Sequence, residues 1–174
     1  RKTLHIQKQN ERLEGEKHLF QLVYTDALTG LYNRAAYVER VNTLERERGT
    51  RTICCVMLDC NHFKQVNDNF GHHGGDSAAD AIRAVFSDTT EYLFRIGGDE
   101  FSVILPDCPP ERAEALLADL TVELEHVSME LEMPVSMAAG HACTRPGESI
   151  EDAFIRADAN MYQNKSALKC RTPH

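Results

Sequence analysis

Positive charge is what this chain is short of: 19 Lys and Arg stand against 27 Asp and Glu, a formal net charge of −8. A surface of that sign repels polyanions, which argues against a general nucleic-acid binder or a domain resting on acidic lipid. Any phosphate ligand must then be held by a local group of cations or by metal ions. CxxC pairs are also missing. The six cysteines, Cys54, Cys55, Cys60, Cys108, Cys143 and Cys170, show no zinc-ligand spacing, and Cys54-Cys55 sits inside an apolar run. They read as buried free thiols in a reducing, cytoplasmic compartment. No apolar run approaches membrane-spanning length and no signal peptide is recognisable, so no direct membrane contact is expected of this stretch. There is no internal repeat and no long linker. A chain of 174 residues suits one packed domain with an appendage, and its opening on Arg1 rather than Met suggests a piece of something longer.

What is present divides into an arm and a body. Residues 1–24 are charged and helix-forming, with Ile6, Leu13 and Phe20 spaced by seven and Val23 in the companion position of the last heptad, while Gln9 and Glu16 make the other companion positions polar. A connector helix that pairs with a copy of itself and a solvated stalk are the two readings of that pattern. "TDALTGLYN" then breaks the helix, and "RAAYVERVNTLERER" predicts a second one ending at Gly49. "TICCVML", residues 52–58, is a continuous apolar run suited to a strand buried on both faces. A short helical piece and a glycine-bearing loop precede a helix predicted over about 75–87, with Ala78, Ala79, Ile82, Val85 and Phe86 on one face. "YLF" and "SVIL" flank "RIGGDEF" as a hairpin. Pro109 and Pro110 open a helix with the stripe Ala113, Leu116, Leu117, Leu120, Leu124 and Val127; "VSMAAGHAC" alternates as a strand, and "SIEDAFIRADANMYQNKSALK" closes the chain as a helix. The sum is one α/β (α+β) domain over 25–174 with a mostly antiparallel sheet flanked by helices, carrying an N-terminal helical arm over 1–24.

The chemistry gathers where strands end. The apolar run stops at Asp59, and the hairpin carries Asp99 and Glu100 beside Gly97 and Gly98. Two glycines can simply supply the positive φ of a tight turn, with the acids solvated next to it. Asp59 can likewise be a strand-end cap facing water. If the two strand ends meet, however, three carboxylates converge, and such a cluster needs cations, of which Mg²⁺ takes oxygen ligands and leaves room for phosphate. "DCNHFK" does not fit an EF-hand, since Lys64 stands where the invariant glycine belongs. Lys64 could meet a phosphate, and Asn67 and Asp76 could read the edge of guanine. His72 and His73 could equally be turn residues. In the last helix Asp158, Tyr162, Lys165 and Lys169 form one polar stripe, which on its own reads as a solvated face.

Five motifs in order and spacing choose between these alternatives: "TDALTGLYNR" (25–34), "DCNHFKQVND" (59–68), "FGHHGGD" (70–76), "RIGGDEF" (95–101) and "RADANMYQNK" (156–165). Together they resemble the GGDEF family of diguanylate cyclases over residues 25 to about 170. The resemblance implies a fold similar to the palm of adenylyl cyclases and polymerases, and condensation of two GTP into cyclic di-GMP with release of two pyrophosphates between two domains of a homodimer. It further implies two Mg²⁺ per site, with Mn²⁺ as a substitute, ligated by Asp59, Asp99, the Cys60 carbonyl and neighbouring Glu100. Glu100 would help deprotonate the ribose 3′ hydroxyl. The backbone at His62 and Phe63, with Lys64, Lys165 and Lys169, would hold phosphates. Asn67, His72 and Asp76 would contact the guanine nucleoside, and Gly97 and Gly98 would let it approach. An upstream sensory domain in the parent chain would align the two copies; a non-catalytic GTP-binding module is the alternative.

Three departures stand against that pattern. Asn61 replaces a frequent second Asp, Leu168 and Lys169 replace a frequent Gly-Arg, and "DTTE" (88–91) stands where the family's product-inhibition RxxD would lie, with Asp88 in the arginine's place. Loss of the forked guanidinium weakens the phosphate assignment at Lys169. No feedback inhibition is expected through Asp88.

Overall fold

A computed structural model describes the backbone of residues 2–171 and the side chains of residues 6–71, 77–88 and 92–167. Element order is α1 (Lys2–Tyr24), α2 (Arg34–Glu47), β1 (Ile53–Asn61), α3 (Phe63–Phe70), α4 (His72–Val85), a 3-10 turn (Ser87–Tyr92), β2 (Leu93–Arg95), β3 (Glu100–Pro106), α5 (Pro110–Glu130), β4 (Ser136–Cys143) and α6 (Ile150–Arg171). The four strands form one sheet in the order β2-β3-β1-β4, every pairing antiparallel.

β1 is central and buried along almost its whole length because both of its faces are covered. Its even-numbered residues Cys54, Val56, Leu58 and Cys60 pack with α3, α4 and α5 through Val66, Ile82, Leu120 and Leu124. Its odd-numbered residues Ile53, Cys55 and Met57 pack with α2 and α6 through Leu44, Phe154, Ala157 and Met161. Alternation along a strand thus sends successive side chains into two cores.

Two boundaries differ from the sequence reading. β1 continues past Asp59 to Asn61, because β4 pairs with it as far as Asn61–Ser136; Asp59 lies inside the strand rather than at its end. The helix expected at 75–87 starts at His72 and stops at Val85. The expected glycine loop shrinks to Gly71, whose φ of 61° and ψ of −144° turn the chain between α3 and α4, a conformation open to glycine at little cost.

Helix α6 does more than cover a face. Its residues 156, 160 and 164, one turn apart, reach the outer edge of β4: Arg156 Nη2 donates to the Cys143 carbonyl (2.6 Å), Asn160 Nδ2 to the His141 carbonyl (3.0 Å), and Asn164 Oδ1 accepts from the Ala139 N–H (3.1 Å). On the opposite edge, Tyr32 N–H donates to the Leu93 carbonyl (3.2 Å) and Arg95 N–H to the Tyr32 carbonyl (2.8 Å). The helix can lie this close to β4 because Gly140 has no side chain there: a β carbon on it would stand 2.1 Å from the Met161 nitrogen. Among the described residues no helix is long and apolar enough to cross a membrane.

Candidate active site

Register brings the carboxylates together. Asp59 on β1 is the direct partner of Glu100 on β3, so their side chains leave the same face of the sheet. Next to them the Cys60 N–H donates to the Asp99 carbonyl (2.8 Å), which turns the Cys60 carbonyl toward the same loop. Asp99 is exposed, Glu100 half-buried, and Asp59 only 9% exposed. Burial, then the charges of Asp59 and Asp99, push the Cys60 thiol up to about 12, so it stays a neutral neighbour of the site.

The glycines act differently from turn glycines. Neither Gly97 nor Gly98 adopts a positive φ, since a four-residue loop joins β2 to β3 rather than a two-residue turn. A β carbon on Gly97 would stand 2.8 Å from Glu100 Oε2, whereas one on Gly98 would meet open space. Gly97 therefore makes room for the Glu100 carboxylate.

Arg95 fixes the loop. Its Nε and Nη2 donate to the Gly98 carbonyl (3.2 and 2.8 Å), its Nη1 to both oxygens of Asp26 (3.1 Å each), and its guanidinium lies over the Phe63 ring at 5.2 Å. Asp26, held also by the Thr29 N–H and hydroxyl at 2.8 Å, has its carboxyl below the ordinary range: burial raises it, and the Thr29 and Arg95 bonds more than offset that. Asp26 lies two residues past the end of the arm helix. Sequence reasoning singled out neither residue for a role; the signal was that each lies inside a quoted motif.

Lys165 from α6 donates to Asp59 Oδ2 at 2.8 Å. That bond, with the charge of Asp59 behind it, raises the ammonium above its ordinary pKa. The other oxygen, Asp59 Oδ1, is buried without a hydrogen-bond partner, as is Asn67 Oδ1, and an orphaned carboxylate oxygen in a protein interior needs a cation or water. Among the described residues no three His, Cys, Asp or Glu side chains make a ready-built metal cage. Mg²⁺ is held by one or two carboxylates plus water and substrate phosphates, so Asp59 with Asp99 and the Cys60 carbonyl fits that ion.

His62 occupies the left-handed region at φ 61° and begins α3 without a side-chain cap, leaving the first N–H groups of the helix to face an anion. Lys64 is exposed beside them, while Phe63 is buried at 3% and packs edge-on against Phe101. Asn61 Nδ2 donates to Ser136 Oγ (3.1 Å). Asp88 approaches Arg112 at 4.0 Å. The side chains of His72, Asp76, Leu168 and Lys169 lie outside the described residues.

The family model described as "Diguanylate cyclase, GGDEF domain" matches residues 23–171. This chain belongs to the GGDEF family. Among its relatives, the diguanylate cyclase DgcP of Pseudomonas aeruginosa is 33% identical over 159 residues, covering 87% of this chain and 24% of that protein. The probable diguanylate cyclase DgcJ of Escherichia coli is 28% identical over 153 residues, covering 85% of this chain and 30% of that protein. The GGDEF chain thus spans about a quarter to a third of these curated relatives. The crystal structure of the coiled coil and GGDEF domain of DgcB from Caulobacter crescentus, in complex with c-di-GMP, superposes with a TM-score of 0.73 at 28% identity, covering 95% of this chain and 91% of that one.

Proposed function

We propose that this GGDEF domain is a diguanylate cyclase that condenses two GTP into cyclic di-GMP and two pyrophosphates, each of two domains presenting one GTP. The observation that carries the reading is the register pairing of Asp59 with Glu100, beside Asp99 in the adjoining loop. Mg²⁺, or Mn²⁺ in its place, would be held by Asp59, Asp99 and the Cys60 carbonyl next to Glu100, and supplies neutralisation of phosphate charge. Glu100 accepts the proton of the ribose 3′ hydroxyl as that oxygen bonds to the α-phosphorus of the GTP across the interface, and pyrophosphate leaves. The uncapped start of α3 with Lys64 binds the terminal phosphates. Lys165, hydrogen-bonded to Asp59 on the strand that leads into α3, and Lys169 join them. Asn67, with its orphaned Oδ1, orients the guanine nucleoside together with His72 and Asp76.

Two half-sites must meet face to face, so local concentration and orientation control the rate. The arm is suited to that: Ile6, Leu13, Phe20 and Val23 are 49–61% exposed, an apolar seam that a second copy covers. An upstream sensory domain of a longer cytoplasmic or membrane-anchored parent sets the alignment. Turnover of GTP with Mg²⁺ over a range of protein concentrations tests the reading. Cyclic di-GMP should rise more than linearly with protein and vanish in Asp99→Ala. The Lys165–Asp59 ion pair favours a second reading, a GTP-binding regulatory module whose metal carboxylate is already neutralised. GTP binding without product, even when dimerisation is forced by a fused coiled coil, selects it.

A further inference from the structure

The α5 side of the sheet holds a group of thiols that the nucleotide chemistry does not use. Cys54 on β1 and Cys143 on β4 are register partners, five residues along β1 from Asp59. At the next position the Thr144 N–H donates to the Ile53 carbonyl (2.8 Å), and Cys143 sends its own carbonyl outward, away from β1, to Arg156 (2.6 Å). The pair 54/143 is therefore a non-hydrogen-bonded position of the ladder, where α carbons stand about 4.5 Å apart and both side chains leave one face. A disulfide spans α-carbon separations of about 4.4–6.8 Å, so the backbone already meets its requirement.

The two sulfurs are not equivalent. Cys143 is half-buried and Cys54 wholly buried. Burial, then a hydrogen bond to the Cys143 thiol, raises Cys54 far above the ordinary thiol range, so Cys54 is not where an oxidant reacts first. The Cys143 thiol also donates to the Cys108 carbonyl (3.7 Å). Cys55 points into the opposite core, packed with Ile150 and Phe154, and serves as an internal control.

We propose that Cys54 and Cys143 form a reversible oxidation site, in which Cys143 reacts with a hydroperoxide and Cys54 closes an intramolecular disulfide between β1 and β4. In the first step the Cys143 sulfur attacks the terminal peroxide oxygen. The S–O bond forms, the O–O bond breaks, and the alkoxide or hydroxide leaves with the thiol proton as alcohol or water, giving the sulfenic acid. In the second, the Cys54 sulfur attacks the Cys143 sulfur; the S–S bond forms, the S–O bond breaks, and hydroxide leaves as water with the Cys54 proton. Two thiols give up two electrons and two protons, and the peroxide takes up both.

The test is peptide mapping of the intact chain after brief treatment with hydrogen peroxide, digested without reductant. The expected result is a single new cross-link between the peptides that carry Cys54 and Cys143, reversed by dithiothreitol, with fragment ions placing the bond on Cys54 and a free thiol on Cys55 of the same peptide. In Cys54→Ser, which keeps the half-buried attacking thiol, dimedone should label Cys143. In Cys143→Ser, the variant at the more exposed of the two positions, the cross-link should vanish. A wild-type product with Cys143 carried to dimedone adduct or sulfinic acid while Cys54 stays free overturns the proposal. So does a cross-link that reproducibly joins Cys143 to Cys108 or Cys170 instead, or a Cys143 that stays reduced under excess peroxide.

Discussion

Replacing Gly140 by Ala is the sharpest test of how this fold holds its site. The added β carbon would stand 2.1 Å from the Met161 nitrogen, 2.3 Å from the Ala157 carbonyl oxygen and 2.7 Å from the Met161 α carbon. All three are backbone atoms of α6, so no rotamer change relieves the contact, and ordinary van der Waals separation begins at 3.4 Å. The helix must retreat by more than about 1 Å, an overpacking cost near the top of the about 1–3 kcal/mol range. For a domain of this size each kcal/mol moves Tm by about 2–4 °C, so a fall of roughly 6–12 °C is expected. Thermal unfolding followed by circular dichroism reads it. Gly98→Ala is the control, since a β carbon there meets nothing within 4 Å, and its Tm should match the parent's. The same retreat carries Lys165, one turn beyond Met161, off Asp59 Oδ2, so Gly140→Ala should also weaken GTP turnover beyond its loss of folded protein. A Gly140→Ala Tm within about 2 °C of wild type would refute the packing argument.

Four further outcomes follow from named contacts. Arg95→Met leaves Asp26 half-buried without its guanidinium and should cost about 3 kcal/mol in urea denaturation, with Arg95→Lys intermediate because a point charge cannot serve Asp26 and Gly98 together. The Glu148 carboxyl is held down to about 2, first by its hydrogen bond to Arg156; its folded pKa lies below the unfolded one, so its contribution is present above about pH 4.5 and is lost as pH falls toward 2. Glu148→Gln should therefore flatten the acid limb of the stability curve between those values and lower neutral stability by about 1–2 kcal/mol after solvent screening. Leu13→Asp with Phe20→Asp should convert a dimer to a monomer in sedimentation and cut the cyclase rate at low protein concentration by at least about tenfold. Calorimetry should find no micromolar cyclic di-GMP binding that depends on Asp88, because a carboxylate there repels the product's phosphates; Asp88→Ala should leave the titration unchanged.

Local pattern carried some of this architecture and could not carry the rest. "TICCVML" was legible as a strand because both of its faces are apolar, and the Phe154, Ala157, Met161 stripe as a buried helix face because its spacing is helical. The meeting of Asp59 with the hairpin was legible too, since neighbouring strands tend to pair. The start of α4 was not: residues 72–75 read "HHGG", poor helix formers, yet Ala78, Ala79 and Ile82 anchor the helix in the core and it extends back to His72. Nor could periodicity join Lys165 to Asp59, 106 residues away, or Arg95 to Asp26, 69 residues away, because an ion pair between separate motifs leaves no trace in the spacing of either. Gly140 announced a close approach, as a strand glycine often does, without saying which backbone approaches.

The side-chain ladder from Arg156, Asn160 and Asn164 has a bearing on how such domains can meet. An exposed sheet edge is a template onto which another chain can add a strand, and crowded signalling proteins run that hazard whenever two copies are brought together. Here α6 spends three polar side chains on three of the outward backbone groups of β4, and the Tyr32 segment occupies the rim of β2. With both rims partly occupied in this way, concentrating two domains is less of an invitation to merge into a continuous sheet or to nucleate fibrils. For two domains paired as proposed, that leaves the loop-bearing surface around Asp99 as the place to meet, through a contact that can be made and released repeatedly.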